Sequence, residues 1–215
     1  MDYPKFIFPP RAEYKTKPEN LTRYDDGNYY FQPKLNGSAS VVMLHNDGRR
    51  QVWNRHGKQL SLIDYNQVNL NPLYRGKGWL MLAGELLNKN KKGEDGQPFN
   101  QKFCLWDILM LDGVKLEGTS VIQRVELVSN LYQPKAEQPI KHLIDIAGSE
   151  NCYTIPSYGS YEGGFVALYD ELTQTDVYEG GVLKLKAGTL APGLRESNNA
   201  SWQIKARKET KNYSF

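Results

Sequence analysis

Apolar runs broken by glycine, proline, asparagine and aspartate divide the chain into many short strands and few helices. Tyr29-Tyr30-Phe31 predicts one strand, and Ser38 to Leu44 a second, with Lys34 and the Asn36-Gly37 pair between them. The second strand enters a hairpin at Asn46-Asp47-Gly48-Arg49 and returns through Gln51 to Asn54, ending at Arg55-His56-Gly57. Two nearly continuous apolar runs, Trp79 to Leu87 and Phe103 to Leu111, predict buried strands, with Trp106 and Asp107 on opposite faces of the second. Thr119-Ser120 caps a helix from Val121 to Leu131, with Val121, Val125 and Val128 on one face. Residues 140–172 predict a helix, a short strand from Cys152 to Ile155, and a helix centred on Phe165 to Tyr169. Strands at Tyr178 to Lys186 and Ser201 to Arg207 close the pattern.

Residues 1–28, rich in proline and charge, are expected to form an irregular arm with one short helix near Pro18 to Leu21. Residues 58–78 read as turn-rich and 88–99 as a solvent loop. Residues 208–215 read as a short basic tail, with Lys208 and Lys211 solvated. At 215 residues one substantial core is expected.

Net charge is only +3, so any polyanion site must be a local feature. The chain has only two cysteines, Cys104 and Cys152, too few for a disulfide scaffold; they read as reduced core residues of a cytoplasmic protein, in a host cytoplasm if the source is viral. No apolar run has the length of a membrane span, so no membrane partner is expected. No histidine or cysteine spacing suggests zinc.

Two charged residues stand out. Glu85 lies inside an apolar strand, where an unpaired carboxylate is costly, so it is either paired or aimed at a ligand. Lys34 precedes an Asn-Gly pair, where most lysines are ordinary surface residues. What raises Lys34 above that alternative is order: K-L-N-G, N-R-H-G, A-G-E-L-L, F-C-L-W-D-I-L, Y-E-G-G-V-L-K and S-W-Q-I-K-A-R follow one another.

This series, from about residue 29 to 207, resembles the covalent nucleotidyltransferases: ATP-dependent DNA ligases, RNA ligases and mRNA capping enzymes. The resemblance implies an α/β (α+β), ATP-grasp-like nucleotidyltransferase domain of mixed, mostly antiparallel sheets flanked by helices. It implies that Lys34 attacks the α-phosphate of ATP and holds AMP as a phosphoramide, which needs a deprotonated amine favoured by desolvation and nearby cations. By the same match, Gln32, Arg55, Glu85, Trp106, Lys184, Lys205 and Arg207 bind nucleotide. Arg55 would touch ribose or substrate phosphate, Glu85 the ribose hydroxyl, and Trp106 would stack on the purine. Lys184 and Lys205 would contact phosphate, and Arg207 replaces a lysine frequent in relatives. Glu179 would help hold Mg2+, an oxygen-seeking ion suited to a carboxylate and phosphates.

Asn36 stands where ligases usually carry aspartate, and Ala39 where DNA ligases commonly carry arginine. Eight residues follow Arg207, leaving no room for the oligonucleotide-binding (OB) fold that usually follows in ligases. The expectation is therefore a minimal enzyme, a catalytic fragment, or a catalytic subunit with a separate OB-fold or nucleic-acid-binding partner. The 72 residues from Lys34 to Trp106 and the 26 from Glu179 to Lys205 resemble the spacing of compact ATP-dependent DNA ligases and favour a ligase over a capping enzyme; the resemblance implies a role in DNA replication or repair, acting on nicked DNA with a 5′-phosphate. RNA as acceptor, a GTP-using capping enzyme, and a binding module without turnover are the alternatives.

Overall fold

The computed structural model describes residues 3–61, 68–87, 92–138 and 140–209. Two sheets dominate. The first runs in the order β1 (Arg11–Lys15), β11 (Asn199–Arg207), β10 (Tyr178–Leu185), β2 (Tyr29–Leu35). The second runs β4 (Arg50–Asn54), β3 (Ser38–Leu44), β5 (Leu80–Leu87), β6 (Lys102–Leu111), β9 (Cys152–Thr154), β8 (Ile144–Asp145), with β7 (Val114–Lys115) paired to β6. Only β1 with β11 and β6 with β9 pair in parallel; the other pairs are antiparallel, the mixed architecture expected.

The strands around Lys34 are not a hairpin. β2 belongs to the first sheet and β3 to the second, so the chain crosses between sheets at Asn36-Gly37. Gly37 is needed there because a Cβ would stand 2.8 Å from the Leu86 carbonyl oxygen and 2.9 Å from Glu85 Cγ. Lys34 therefore sits at the seam where the two sheets approach.

Helix α1 (Val121–Leu131) begins as expected: Ser120 Oγ accepts from the Gln123 amide, and the Gln123 side chain accepts from the Ser120 amide at 2.9 Å. Its main anchor is Arg124, 2% exposed, whose Nε and Nη2 donate to the two oxygens of Asp107 at 2.8 and 3.2 Å. Helix α2 (Gly164–Leu172) packs Phe165, Leu168 and Leu172 against Leu21, Phe31 and Leu183 beneath the first sheet. Cys104 and Cys152 are both buried and free, and burial raises both thiol pKa values.

Three expectations need correction. The proline-rich arm contains β1, an edge strand that pairs through its backbone while exposing side chains, so it carries no apolar signature. Its short helix is present as a 3-10 turn at Pro18–Tyr24. The helix expected just after residue 140 is absent: Lys135 N–H donates to the Asp145 carbonyl and Ala147 N–H to the Gln133 carbonyl, tying that segment to the preceding loop, and Gly148 adopts φ +79°. Finally, Trp106 and Asp107 do not separate cleanly, because β6 bulges against β5 between the Ala83–Asp107 and Gly84–Leu105 pairs. Parts of the expected loops, at 62–67 and 88–91, and the end of the tail, including Lys211, lie outside the described residues.

Truncating one partner of a buried ion pair strands the other charge. Arg124→Ala is expected to lose about 3 kcal/mol of stability in urea denaturation, and Asp107→Leu with Arg124→Met to recover most of it.

Candidate active site

Strand register sets the site. Gly180 of β10 stands opposite Lys34 of β2 on one side and Arg207 of β11 on the other. Val182 stands opposite Gln32 and Lys205, and Lys184 opposite Tyr30 and Gln203. Because side chains alternate, these rows share one face of the first sheet, while Phe31, Leu183, Ile204 and Ala206 turn into the core. Beyond Lys205, β1 adds Lys15 to the same row.

Glu179 reaches this face by a different device. Register with β2 slips between Tyr178 and Gly180, and Gly180 takes φ +128°, so Glu179 is the extra residue of a bulge. A Cβ at Gly180 would lie 2.1 Å from the Ala206 carbonyl oxygen, and one at Gly181 2.0 Å from the Phe31 ring. The two glycines after Glu179 are therefore steric requirements of the bulge and of the packed strand beside it. The bulge delivers Glu179 between Lys34, which donates to its Oε1, and Arg207, which donates to its Oε2. Lys205 stands nearby, its pKa lowered by burial first and then by Lys34, Arg207, Lys15 and Arg11.

The second sheet supplies the facing wall. Glu85 is 6% exposed and accepts the Gly37 amide at 3.2 Å. Burial pushes its carboxyl up to about 7; Glu179 adds to the rise, while Lys34, the Gly37 amide and Arg55 oppose it. Ala39 pairs with Glu85 across the ladder, the Ala39 carbonyl accepts the Arg55 amide at 3.1 Å, and both residues line the cleft.

A cleft of about 580 Å3 between the walls is lined by Lys34, Arg55, Glu85, Trp106, Glu179, Lys205 and Arg207. A narrower pocket of about 40 Å3 shares Lys34, Glu85, Trp106 and Val182 with the cleft and is lined also by Gln32 and Lys184. Each of the nine residues expected from the sequence thus lines one or both of these adjoining pockets. Lys184 lies at the narrower pocket and does not line the wide cleft. It is buried, its Nζ donates to the Trp106 carbonyl at 3.4 Å, and burial pushes its pKa down to about 8. Gln32 donates to the same carbonyl at 3.4 Å and to Ser157 Oγ at 2.7 Å. Trp106 Nε1 is buried without a hydrogen-bond partner.

Several lining residues were not among those expected from the sequence. Arg11 comes from an edge strand without periodicity, and Gln203 and Val182 follow from register alone. His56, beside Arg55 in the N-R-H-G segment, lines the cleft as well.

Similar structures share this arrangement of sheets. A mycobacterial DNA ligase D, described in complex with ATP and MES, superposes with TM-score 0.63 at 18% identity over 94% of this chain and 60% of its own. The Chlorella virus DNA ligase-adenylate gives TM-score 0.57 at 14% identity, over 94% and 67%. A Lig E DNA ligase, described as binding DNA with a minimal scaffold, gives 0.54 at 13%, over 94% and 70%. The chain has the nucleotidyltransferase fold of DNA ligases. It spans about 60% of the length of the mycobacterial ligase. No protein-family model and no curated sequence matches it. No helix among the described residues is long and apolar enough to cross a membrane.

In this nucleotidyltransferase fold Glu85 carries a pH-dependent cost. Its pKa in the folded chain, about 7, lies above that of an unfolded glutamate, so the folded state binds the extra proton. Glu85 therefore weakens folding fully above pH 7, and the cost fades as pH falls toward about 4.5. Glu85→Gln is expected to exceed the parent chain by on the order of 2 kcal/mol at pH 8 in denaturant titration, with the gap closing by about pH 4.5.

Proposed function

We propose that the chain is an ATP-dependent polynucleotide ligase that adenylylates itself at Lys34 and passes AMP to a 5′-phosphate for strand sealing. The observation that carries this reading is the meeting of Lys34, Glu179, Lys205 and Arg207 at the floor of a cleft that adjoins a narrower pocket lined by Trp106. The pocket lined by Trp106 and Val182 suits a flat purine, and the cationic floor suits the phosphates.

In the proposed first step, the Lys34 amine attacks the α-phosphorus, a P–N bond forms, and the bond to the pyrophosphate leaving group breaks. Lys205 and Arg207 stabilise charge on the phosphoryl oxygens, and Glu85 orients the ribose hydroxyl. Lys184, buried at the narrower pocket, is better placed to face the base edge than the phosphates. An oxygen of the acceptor 5′-phosphate would next attack the same phosphorus, breaking the P–N bond and releasing the Lys34 amine, and a hydroxyl of the neighbouring strand end would then attack the 5′-phosphate and displace AMP.

Among the described residues no three His, Cys, Asp or Glu side chains gather as a metal cage. Glu179 at the phosphate end still fits Mg2+, which is commonly held by one or two carboxylates, waters and substrate phosphates. Bound there, the ion would neutralise phosphate charge. Glu179 engaged in this way would no longer hold the Lys34 side chain.

DNA is the proposed acceptor, supported by the DNA ligases of like fold, and RNA is the competing one. A separate OB-fold or nucleic-acid-binding partner would supply grip on the duplex.

The test is incubation with Mg2+ and α-labelled ATP or GTP, followed by denaturing gel. Retained label from ATP, lost in Lys34→Ala and reduced about 100-fold in rate in Glu179→Gln, is expected. Label from GTP alone would point to a capping enzyme, and nucleotide binding without label to a module lacking turnover.

A further inference from the structure

Glu179 reaches the cleft only in the bulged register of β10, and Gly180 permits that register without selecting it. Along the regular part of the ladder Lys184 stands opposite Tyr30, Val182 opposite Gln32 and Gly180 opposite Lys34. Continued without a break, it would set Glu179 opposite Leu35 on the core face, and Tyr178 one place further on, facing the cleft side. Instead Tyr178 stands opposite Leu35 and is 1% exposed. The two registers therefore differ in which of two neighbouring side chains, a phenol or a carboxylate, enters the core.

Glu94 distinguishes between them. It lies on a tight turn between β5 and β6, where the Gly93 amide donates to the Gln97 carbonyl at 2.8 Å. Its Oε1 accepts from the Tyr178 hydroxyl at 2.9 Å and from the His142 amide at 3.2 Å, and its Oε2 accepts from the Lys141 amide at 2.7 Å. Three donors fix the carboxylate in place, and one of them is the phenol from β10. A carboxylate entering from β10 instead would bring no donor and would meet a like charge. Backbone bonds hold the strand beside the bulge: the Asn36 amide donates to the Val177 carbonyl at 2.9 Å, and the Lys208 amide to the Glu179 carbonyl at 3.0 Å. Bonds of that kind are indifferent to the side chain, whereas the bond from Tyr178 to Glu94 is not.

We propose that Tyr178 and Glu94 form a positioning pair that locks the register of β10 and so holds Glu179 against Lys34. The inference rests on reading Glu179 as a carboxylate of the transfer site, and adds the residues that keep it there. A buried polar contact can fix register where a purely apolar core accepts more than one alignment. Glu94 belongs to the β5–β6 connection and Tyr178 to the first sheet, so the same bond joins the two sheets at the start of β10.

The test measures acylation of Lys34 by an N-hydroxysuccinimide ester on the full chain without nucleotide, read by peptide mass spectrometry. Lys34 engaged by Glu179 is shielded from the reagent, and Lys184, 4% exposed, reports on the core. Tyr178→Phe keeps the ring and removes the donor; it is expected to raise the rate at Lys34 about threefold and to leave Lys184 unchanged. Glu94→Ala is expected to do the same, the two together no more than either alone, and Tyr178→Phe to add nothing in a Glu179→Gln chain. In the ATP labelling assay Tyr178→Phe is expected to slow the step about tenfold at saturating ATP, while the ATP concentration for half-maximal rate stays within about twofold. No change at Lys34, a rise at Lys34 and Lys184 together, or the same rise with Glu179→Gln present would overturn the inference, as would an unaltered labelling rate in a chain that labels. Acylation needs no nucleotide, so absence of label from every chain counts against the proposed function, whereas an unaltered Lys34 counts against the positioning pair.

Discussion

The site depends on one carboxylate held between two cations. Glu179 bridges Lys34 and Arg207, which come from strands on opposite sides of β10. It can do so only because the chain bulges at Gly180, where the positive φ and the close Ala206 carbonyl exclude a side chain. A regular β10 would carry Glu179 on the core face, against Phe165 and Leu168, where an unpaired carboxylate is costly. The bulge thus turns a residue that alternation would bury into the charge around which the other cations gather.

The same economy governs the facing wall. Glu85 is buried because β5 is central to its sheet, and its raised pKa is the direct result of desolvation. Lys184, buried beside Trp106, is pushed in the opposite sense for the same reason. Both groups cost folding free energy where they lie. The Asp107–Arg124 pair works differently: it is satisfied within the fold, joins α1 to β6, and holds the strand beside Trp106 in place.

The likeness to DNA ligases of 13–18% identity is one of backbone arrangement, and the residue-level parallels come from the motifs this chain carries. Ala39 shows how position and identity separate. Position 39 carries no charge, and the backbone bond from Arg55 to Ala39 is what sets an arginine beside it at the cleft.

The sequence alone was enough to place the strands with apolar runs, the capped helix at Val121–Leu131 and the ordered motifs containing the site residues, because burial and local capping leave a periodic record along the chain. It did not reveal β1, whose side chains face solvent and whose pairing is made by backbone alone, nor the loss of a helix after residue 140, where bonds to a distant loop override local preference. That Lys184 would be buried at the narrower pocket beside Trp106 was not legible, since its place depends on register between strands far apart in the chain. Glu94 and Tyr178 stand 84 positions apart, and only the approach of the β5–β6 turn to β10 joins them. Alternation and capping are local and can be read from neighbours; register, bulges and the meeting of charges from different sheets are set by which backbones pair, and that was decided only in three dimensions.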